Sequence, residues 1–539
     1  MLKKLGAAIR SCWGCGKSID QIAAAGEDGE HPEKNWHTRL GIAGGVFSCL
    51  ILIGVAVFPH RHAGAIGSGI FFIYLCFLGY LFFLLSHCPQ KTLMPERKFF
   101  PAAGVIVLLV MLFLCTVLKQ HGVSTSYDTQ EQWQQILDRQ FDDWHPVIHT
   151  FSLYLLACIY KTPVFVAGCW CLIFSVYCGW FYQTLRSCGF RWWSIIPLII
   201  FMLISPVTTY ALTVLFKDSA FMVTLLGIAV AMINIWYSRG EWLDKWYNKI
   251  ILALLLVYAA FVRHNGIFFT VPWIMLLPLV AENKIMRRKL WLFSGIVLLL
   301  CGSYMAGRLA MIKHNVITQK GKEQSFQEAV GLPMSMMAHA YVNAPEKLHP
   351  EAAEFLSSKL QYEKWKEYYK GDYKSIKFNA GVKLLDDITP GKFAELFFLS
   401  LKSAPLECMQ GFAAVTSVAW DPFWNRNWLW NMGFQQGVIR RNGWIFAASG
   451  LYCLILLILT IYLLPRRGVK VLFMSLPFIA YNYGTALLLS GRDQRFFWGV
   501  IIGSVPIITI LLAECADNIK FRKKKSAGKT SESTGLSGK

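Results

Sequence analysis

Residues 141–160 read Phe141-Asp-Asp-Trp-His145-Pro-Val147-Ile-His149-Thr-Phe-Ser-Leu-Tyr-Leu-Leu-Ala-Cys-Ile-Tyr160. Whether the apolar part of this stretch crosses a bilayer decides the topology of the rest of the chain. From Val147 to Tyr160 it is shorter than the roughly 20 residues a helical crossing needs, and it carries His149 near its start. The reading is therefore a re-entrant or juxtamembrane helix. Parity agrees: with 147–160 not counted as a crossing, the next apolar run, 163–184, ends at Arg186 and Arg191 on the side where Lys and Arg are favoured.

Working outward, apolar runs precede this stretch at 40–58, 65–86 and 99–118, and follow it at 163–184, 192–208, 217–236, 247–263, 265–280, 289–308, 443–464, 470–490 and 495–514. Each is near the length of a membrane span. The sequence predicts an all-α polytopic membrane protein, a bundle of about twelve transmembrane helices with a mainly helical extracytoplasmic insert. Its parts are a cytosolic tail (1–39), a transmembrane region (40–308) with an extracytoplasmic loop at 119–162, an extracytoplasmic domain (309–442), C-terminal transmembrane helices (443–514) and a basic cytosolic tail (515–539). Both termini are expected in the cytosol, in a plasma membrane of bacterial type.

Composition fits this class. Of 539 residues, 55% are hydrophobic and 16% charged, with mean hydropathy +0.42. The net charge of +21 does not mark a nucleic-acid binder, because Lys and Arg fall in short clusters between apolar runs, as expected of cytoplasmic loops. The 15 cysteines are scattered, many within apolar runs, and outline no disulfide framework. Cys12-Trp-Gly-Cys15 lacks the second ligand pair that a zinc site needs. No internal repeat of the inverted-transporter kind is present.

The same parity puts a set of ionisable residues on the outer face at span ends: Asp128, Asp142, Asp143, His145, His149, Lys217, Asp218, Arg263, His264, Arg492, Asp493 and Arg495. Charge at bilayer depth costs about 2.5–3.5 kcal/mol on insertion scales, so such groups line a polar cavity or serve a site. Mixed acids and bases at one level suit an anionic ligand held by Arg and Lys, with carboxylates left for proton transfer or a divalent cation. Transfer of a sugar from a polyprenyl phosphate needs such a set: a base for the acceptor hydroxyl and cations for the departing phosphate. Asp142, Asp143, His145 and His149 are the candidate ligands for Mg2+ or Mn2+.

Tyr127-Asp128, Asp143-Trp-His145-Pro146, Lys217-Asp218, Arg263-His-Asn-Gly266 and Arg492-Asp-Gln-Arg495-Phe496-Phe497 resemble, in order and side, the motifs of the GT-C superfamily of membrane glycosyltransferases. The likeness is to the lipid A aminoarabinose transferases and protein O-mannosyltransferases of the family 39 type. The resemblance covers 99–310 and, loosely, 443–515. The chain departs from the pattern in two extra early spans, in Val147 after His145-Pro146, and in a smaller insert. The resemblance implies a GT-C-like bundle and an inverting transfer from a polyprenyl-phosphate-linked sugar in the membrane to a cell-envelope lipid, glycan or protein. It implies Asp128 as base, Asp143 and Asp218 as further catalytic acids, and Lys217, Arg263, Arg492 and Arg495 as ligands of the donor phosphate. A flippase of lipid-linked glycans, a glycan polymerase or ligase, and an envelope scaffold are the alternatives.

Each assignment has a plainer rival. Asp128 could cap a helix beginning at Gln130, Lys217-Asp218 could be a local ion pair, and Arg263 could snorkel from its span end. Arg492 to Arg495 could be a topological flank, although positive charge is disfavoured on that side. The aromatic run Trp420 to Trp430 fits an interfacial belt as well as a sugar-stacking surface.

Overall fold

The computed structural model describes residues 96–533 except 125, 320–325, 327, 381–383, 386, 423 and 425–443. The N-terminal tail, the expected spans at 40–58 and 65–86, Cys12 and Cys15, and most of the Trp420–Trp430 run lie outside the described residues.

The chain is an all-α polytopic membrane protein. Among the described residues, six stretches are long and apolar enough to cross a bilayer, or seven if one bent pair is a single crossing. The first is α1, Phe100–His121, with proline at its first turn and no charged side chain before Lys119. It stops at Gly122, whose φ of 67° suits a residue without Cβ. Helix α2, Tyr127–Asp138, is polar and amphipathic. A two-residue strand, β1 (Phe141–Asp142), leads into α3, Val147–Ile159. At 13 residues α3 reaches about 20 Å, short of the ~30 Å hydrocarbon core.

Helix α4, Pro163–Ser187, crosses beside α1. The expected span at 192–208 is instead two helices, α5 (Trp192–Ile204) and α6 (Pro206–Thr213), bent by 56°. Pro206 cannot donate to the helix before it and disfavours helical geometry at Ser205, which breaks the run there.

Helix α7, Lys217–Tyr237, is the axis of the bundle, with its apolar window wholly buried. Small residues let neighbours approach it closely. A methyl group at Gly227 would strike the Tyr177 ring, and Gly499 and Gly503 lie against Phe221 and Leu225. Helices α8 (Trp246–Phe261) and α9 (Ile267–Leu276, extended by a 3-10 turn to Val280) are short, and α10, Lys284–Lys313, is 30 residues long. After α10, β2 (Ile317–Thr318) pairs in parallel with β1, Phe141 facing Ile317.

The insert is helical: α11 (Gly331–Asn343), α12 (Pro350–Lys359), α13 (Tyr362–Tyr368), α14 (Tyr373–Ala380), α15 (Pro390–Ser403) and α16 (Pro405–Trp420). Trp365, Tyr373 and Ile376 centre its own hydrophobic core, which continues without a break into Ala486, Leu489 and Phe497 of the membrane region. Burial of that shared apolar surface holds the insert against the bundle. Helices α17 (Ser449–Arg467) and α18 (Leu472–Ala486) fold back on each other at Gly468, since Thr460 Oγ1 donates to Ser475 Oγ at 2.7 Å. Last comes α19, Trp498–Ser533, which stays helical into the basic tail as far as Ser533. Extending an existing helix needs no new nucleus.

Candidate functional site

Helix α2 brings Asp128 to the site. Ser126 is its N-cap, its hydroxyl accepting from the Thr129 amide at 3.3 Å. The capping role considered for Asp128 therefore falls to Ser126, and Asp128 sits in the first turn with its carboxylate aimed elsewhere. Two buried glutamines fix the helix: Gln132 Nε2 donates to Thr150 Oγ1 at 2.9 Å and lies 3.0 Å from His149 Nδ1, while Gln135 Oε1 accepts from the Asp142 amide at 3.4 Å. The chain before α2 is tied to the end of α6, where the Ser124 amide donates to Thr213 O at 2.9 Å.

Asp128 Oδ2 accepts from Arg495 Nη1 at 3.0 Å. Arg495 Nε also stands 2.9 Å from Asp493 Oδ2 and 3.7 Å from Asp218 Oδ2. Arg263 pairs with Asp218, and both side chains are withdrawn from solvent, at 6% and 0% exposure. The Phe496 ring takes both guanidinium groups, Arg263 at 4.5 Å and Arg495 at 5.5 Å from its centroid, an attraction of cations to the ring quadrupole. Gly266 closes the Arg263-His-Asn-Gly turn so tightly that a Cβ there would overlap the Ala259 carbonyl oxygen.

Four cations (Lys217, Arg263, Arg495 and Lys374) thus face three carboxylates (Asp128, Asp218 and Asp493). The Lys217 ammonium meets no carboxylate oxygen within 4.0 Å among the described residues; its neighbour is His145 Nδ1, at 3.5 Å. Burial, and then the Lys217 charge, push His145 down to about 3. The ring is therefore neutral, with Nδ1 accepting from Lys217 and Nε2 turned to Glu131 Oε2 at 3.5 Å. Burial opposes ionisation of Asp128, yet the charges of Arg495 and then Lys217 hold its carboxyl below the ordinary value. It is a carboxylate at neutral pH.

The expected metal ligands are committed to other partners. Asp143 pairs with Arg308 at 3.0 Å, Asp142 Oδ1 accepts from the Trp144 amide at 3.1 Å, and His149 meets Gln132. Among the described residues no three His, Cys, Asp or Glu side chains are grouped so as to hold an ion. These residues do not fit the divalent cation, and Asp143 stands with Arg308, its closest charged partner, while Asp128 stands with Arg495. Asp143 ties the β1–α3 corner to Arg308 near the end of α10, and its amide donates to Thr318 O of β2 at 3.1 Å.

Two cavities flank the charge cluster. One, of about 370 Å3, lies between α8, α9 and α10, with Phe261, Ile267 and Met305 on its apolar side and Asp143, His145, Arg263 and Arg308 at its polar end. The other, of about 450 Å3, lies between α14 and the bundle, lined by Phe216, Trp498, Phe378, Lys374, Arg492 and Arg495.

Of the residues singled out from sequence, Asp128, Lys217, Asp218, Arg263 and Arg495 come together, with His145 beside them. Arg492 does not: its guanidinium pairs with Asp372 at 3.3 Å and donates to the Lys370 carbonyl of the insert. Sequence reasoning missed Glu131, Arg308 and Lys374, and quoted Asp493 without giving it a role. Arg308 could have been suspected, since it is the one basic residue between Lys289 and Lys313 on a lipid-facing helix. At the other end of the bundle Arg239 and Lys470 pair with Glu282, and Arg467 with Glu514. The loops that charge parity sorted to one side therefore meet at one end. Comparison with protein families, with characterised proteins and with solved structures finds no match to this chain.

Proposed function

We propose that this protein is a membrane glycosyltransferase of the GT-C kind, moving a sugar from a polyprenyl-phosphate donor to an acceptor in the cell envelope. The observation that carries the reading is the Lys217 ammonium, which contacts no carboxylate directly among the described residues and is set among Arg263, Arg495 and the carboxylate of Asp128. Next to it, the cavity between α8, α9 and α10 joins cationic groups to an apolar wall whose Ile267 and Met305 are exposed on the helix surface. An amphiphile with an anionic head is the ligand this arrangement suits.

In the transfer, the acceptor oxygen forms a bond to the anomeric carbon from the face opposite the phosphate, as the carbon–oxygen bond to that phosphate breaks. Asp128 takes the acceptor proton. Lys217, Arg263 and Arg495 hold the charge gathering on the departing phosphate, a task for which forked guanidinium groups suit. No step needs a metal ion. Among the described residues α7 carries its charged pair, Lys217 and Asp218, in its first turn, which favours a surface reaction over carriage of an ion or glycan through the mid-plane. The proposal includes the outer face as the site's side and about twelve crossings in all.

The test is turnover of a panel of polyprenyl-phosphate sugars by purified protein in nanodiscs, read as release of free polyprenyl phosphate with and without a membrane extract as acceptor. Wild type should release it, and Asp128→Asn should fall by about a hundred- to ten-thousandfold while still binding donor. Equal turnover by wild type and variant would remove Asp128 as base. Binding without turnover on every donor and acceptor would sink the transferase reading.

A further inference from the structure

The loop that carries Arg495 is clamped by the insert. The Lys374 amide donates to Ser490 O at 3.1 Å, the Arg492 amide donates to Asp372 Oδ2 at 3.3 Å, and Gly491 packs so closely on Lys374 that a Cβ would lie 2.5 Å from its side chain. The central contact is at Asp493. One oxygen, Oδ2, lies 2.9 Å from Lys374 Nζ and 2.9 Å from Arg495 Nε, while Oδ1 accepts from the Arg495 amide at 3.3 Å. Two cations therefore share one carboxylate oxygen, and the same guanidinium reaches Asp128 with Nη1 at 3.0 Å.

We infer that Lys374 of the insert is a positioning residue for the site: by occupying Asp493 it sets how strongly Arg495 is left to hold Asp128. The physical reason is competition. A carboxylate already neutralised by an ammonium attracts a guanidinium less, so Arg495 can lean towards Asp128 and Asp218. Remove Lys374 and Asp493 becomes the stronger partner, drawing Arg495 away. Burial works against the charge of Asp493, yet Arg495 and then Lys374 keep it firmly ionised, so the competitor is present at every working pH. The charged groups facing Asp128 are Arg495, in the turn before α19, and Lys217 at the start of α7, with the titratable but neutral His145 in the β1–α3 corner; those facing Asp493 are Lys374 and Arg495. The catalytic meaning of this linkage rests on the reading of Asp128 as base, but the linkage itself does not.

Carboxyl footprinting separates the two. The full-length protein in detergent is treated with a water-soluble carbodiimide and glycine ethyl ester, and labelling at Asp128 is read by mass spectrometry across pH. Lys374→Met should raise Asp128 labelling severalfold and move its midpoint to higher pH. Asp493→Asn should lower the labelling, and Lys374→Arg should match wild type. The double variant Lys374→Met/Asp493→Asn should follow Asp493→Asn alone, because Lys374 acts through Asp493. A merely additive field would place the double variant between the two singles, and a loosened fold would raise labelling in all; either result overturns the inference. So does an unchanged Asp128 in Lys374→Met. Should that variant not fold, Asp493→Asn still has to lower the labelling. Where turnover is measurable, Lys374→Met should move the acid limb of the kcat profile to higher pH with little change in KM. The labelling pattern without turnover in wild type would keep the positioning chain and refute the transferase.

Discussion

Replacing Asp218 by Asn removes the carboxylate that pairs with Arg263 and leaves the buried guanidinium with a neutral amide and the Phe496 ring, 4.5 Å away. The pair is almost wholly out of water, at 0% and 6% exposure, so solvent cannot take over the missing partner. Breaking such a pair costs about 3–5 kcal/mol, mostly the penalty of a stranded charge. The opposite single change, Arg263→Met, should sit at the lower end of that range, because Arg495 Nε stands 3.7 Å from Asp218 and supplies a second cation. Replacing both residues together removes the stranded charge, and the double variant should come within about 1 kcal/mol of wild type. The interaction energy from the cycle is then at least about 5 kcal/mol in magnitude. Asp128→Asn is the internal control: its pair with Arg495 is 30% and 20% exposed, and its loss should cost about 0–1 kcal/mol. Equilibrium unfolding in mixed detergent–SDS micelles gives all four energies. An additive double variant, or an Asp218→Asn no more costly than Asp128→Asn, would refute the argument that this pair is a buried structural core of the site.

Lys217→Met should weaken binding of a polyprenyl phosphate by about ten- to a hundredfold, the worth of one charge-assisted hydrogen bond, without loss of thermal stability; titration of the lipid in nanodiscs reads it. Below pH 6.5 the unfolded chain protonates His145 while the folded protein, whose ring titrates only at about 3, does not. Stability should therefore fall with pH across that window, by at most about 1.4 kcal/mol per pH unit from this residue, and His145→Asn should flatten that part of the melting-temperature profile. Gly266→Ala drives a methyl group into the Ala259 carbonyl and should displace the Arg263 turn, lowering the melting temperature and the yield of monodisperse protein more than Gly104→Ala, where a methyl group meets open space.

Several of the site's parts were legible in the chain. An Asp two residues into a polar helix, Lys-Asp at the start of an apolar one and Arg-x-x-Gly at a turn each advertise themselves, because ionisable groups at span ends are expensive unless used. The shortness of α3 was legible too, by length alone. The break at Ser205-Pro206 was written in the sequence but read as part of one span, since hydropathy does not register a missing amide. The candidate metal ligands are held apart for a different reason. Asp142, Asp143, His145 and His149 are neighbours in the chain, but the corner they occupy turns each side chain to its own partner, Trp144, Arg308, Glu131 and Gln132. Lys374 was invisible, because nothing local distinguishes it from the other lysines of the insert.

What the sequence alone determined is solvent: apolar runs declare a lipid environment residue by residue through transfer energy, and the Lys and Arg clusters group loops that meet at one end of the bundle. What only the tertiary structure decided is partnership. Asp128 and Arg495 stand 367 positions apart in the chain and meet because Gly499 and Gly503 let α19 lie close on α7, while Gly491 lets the insert lie close on the Arg495 loop. Which cation faces which carboxylate depends on how far helices rotate and approach, and that is a property of packing among distant segments, with no local signature in the chain.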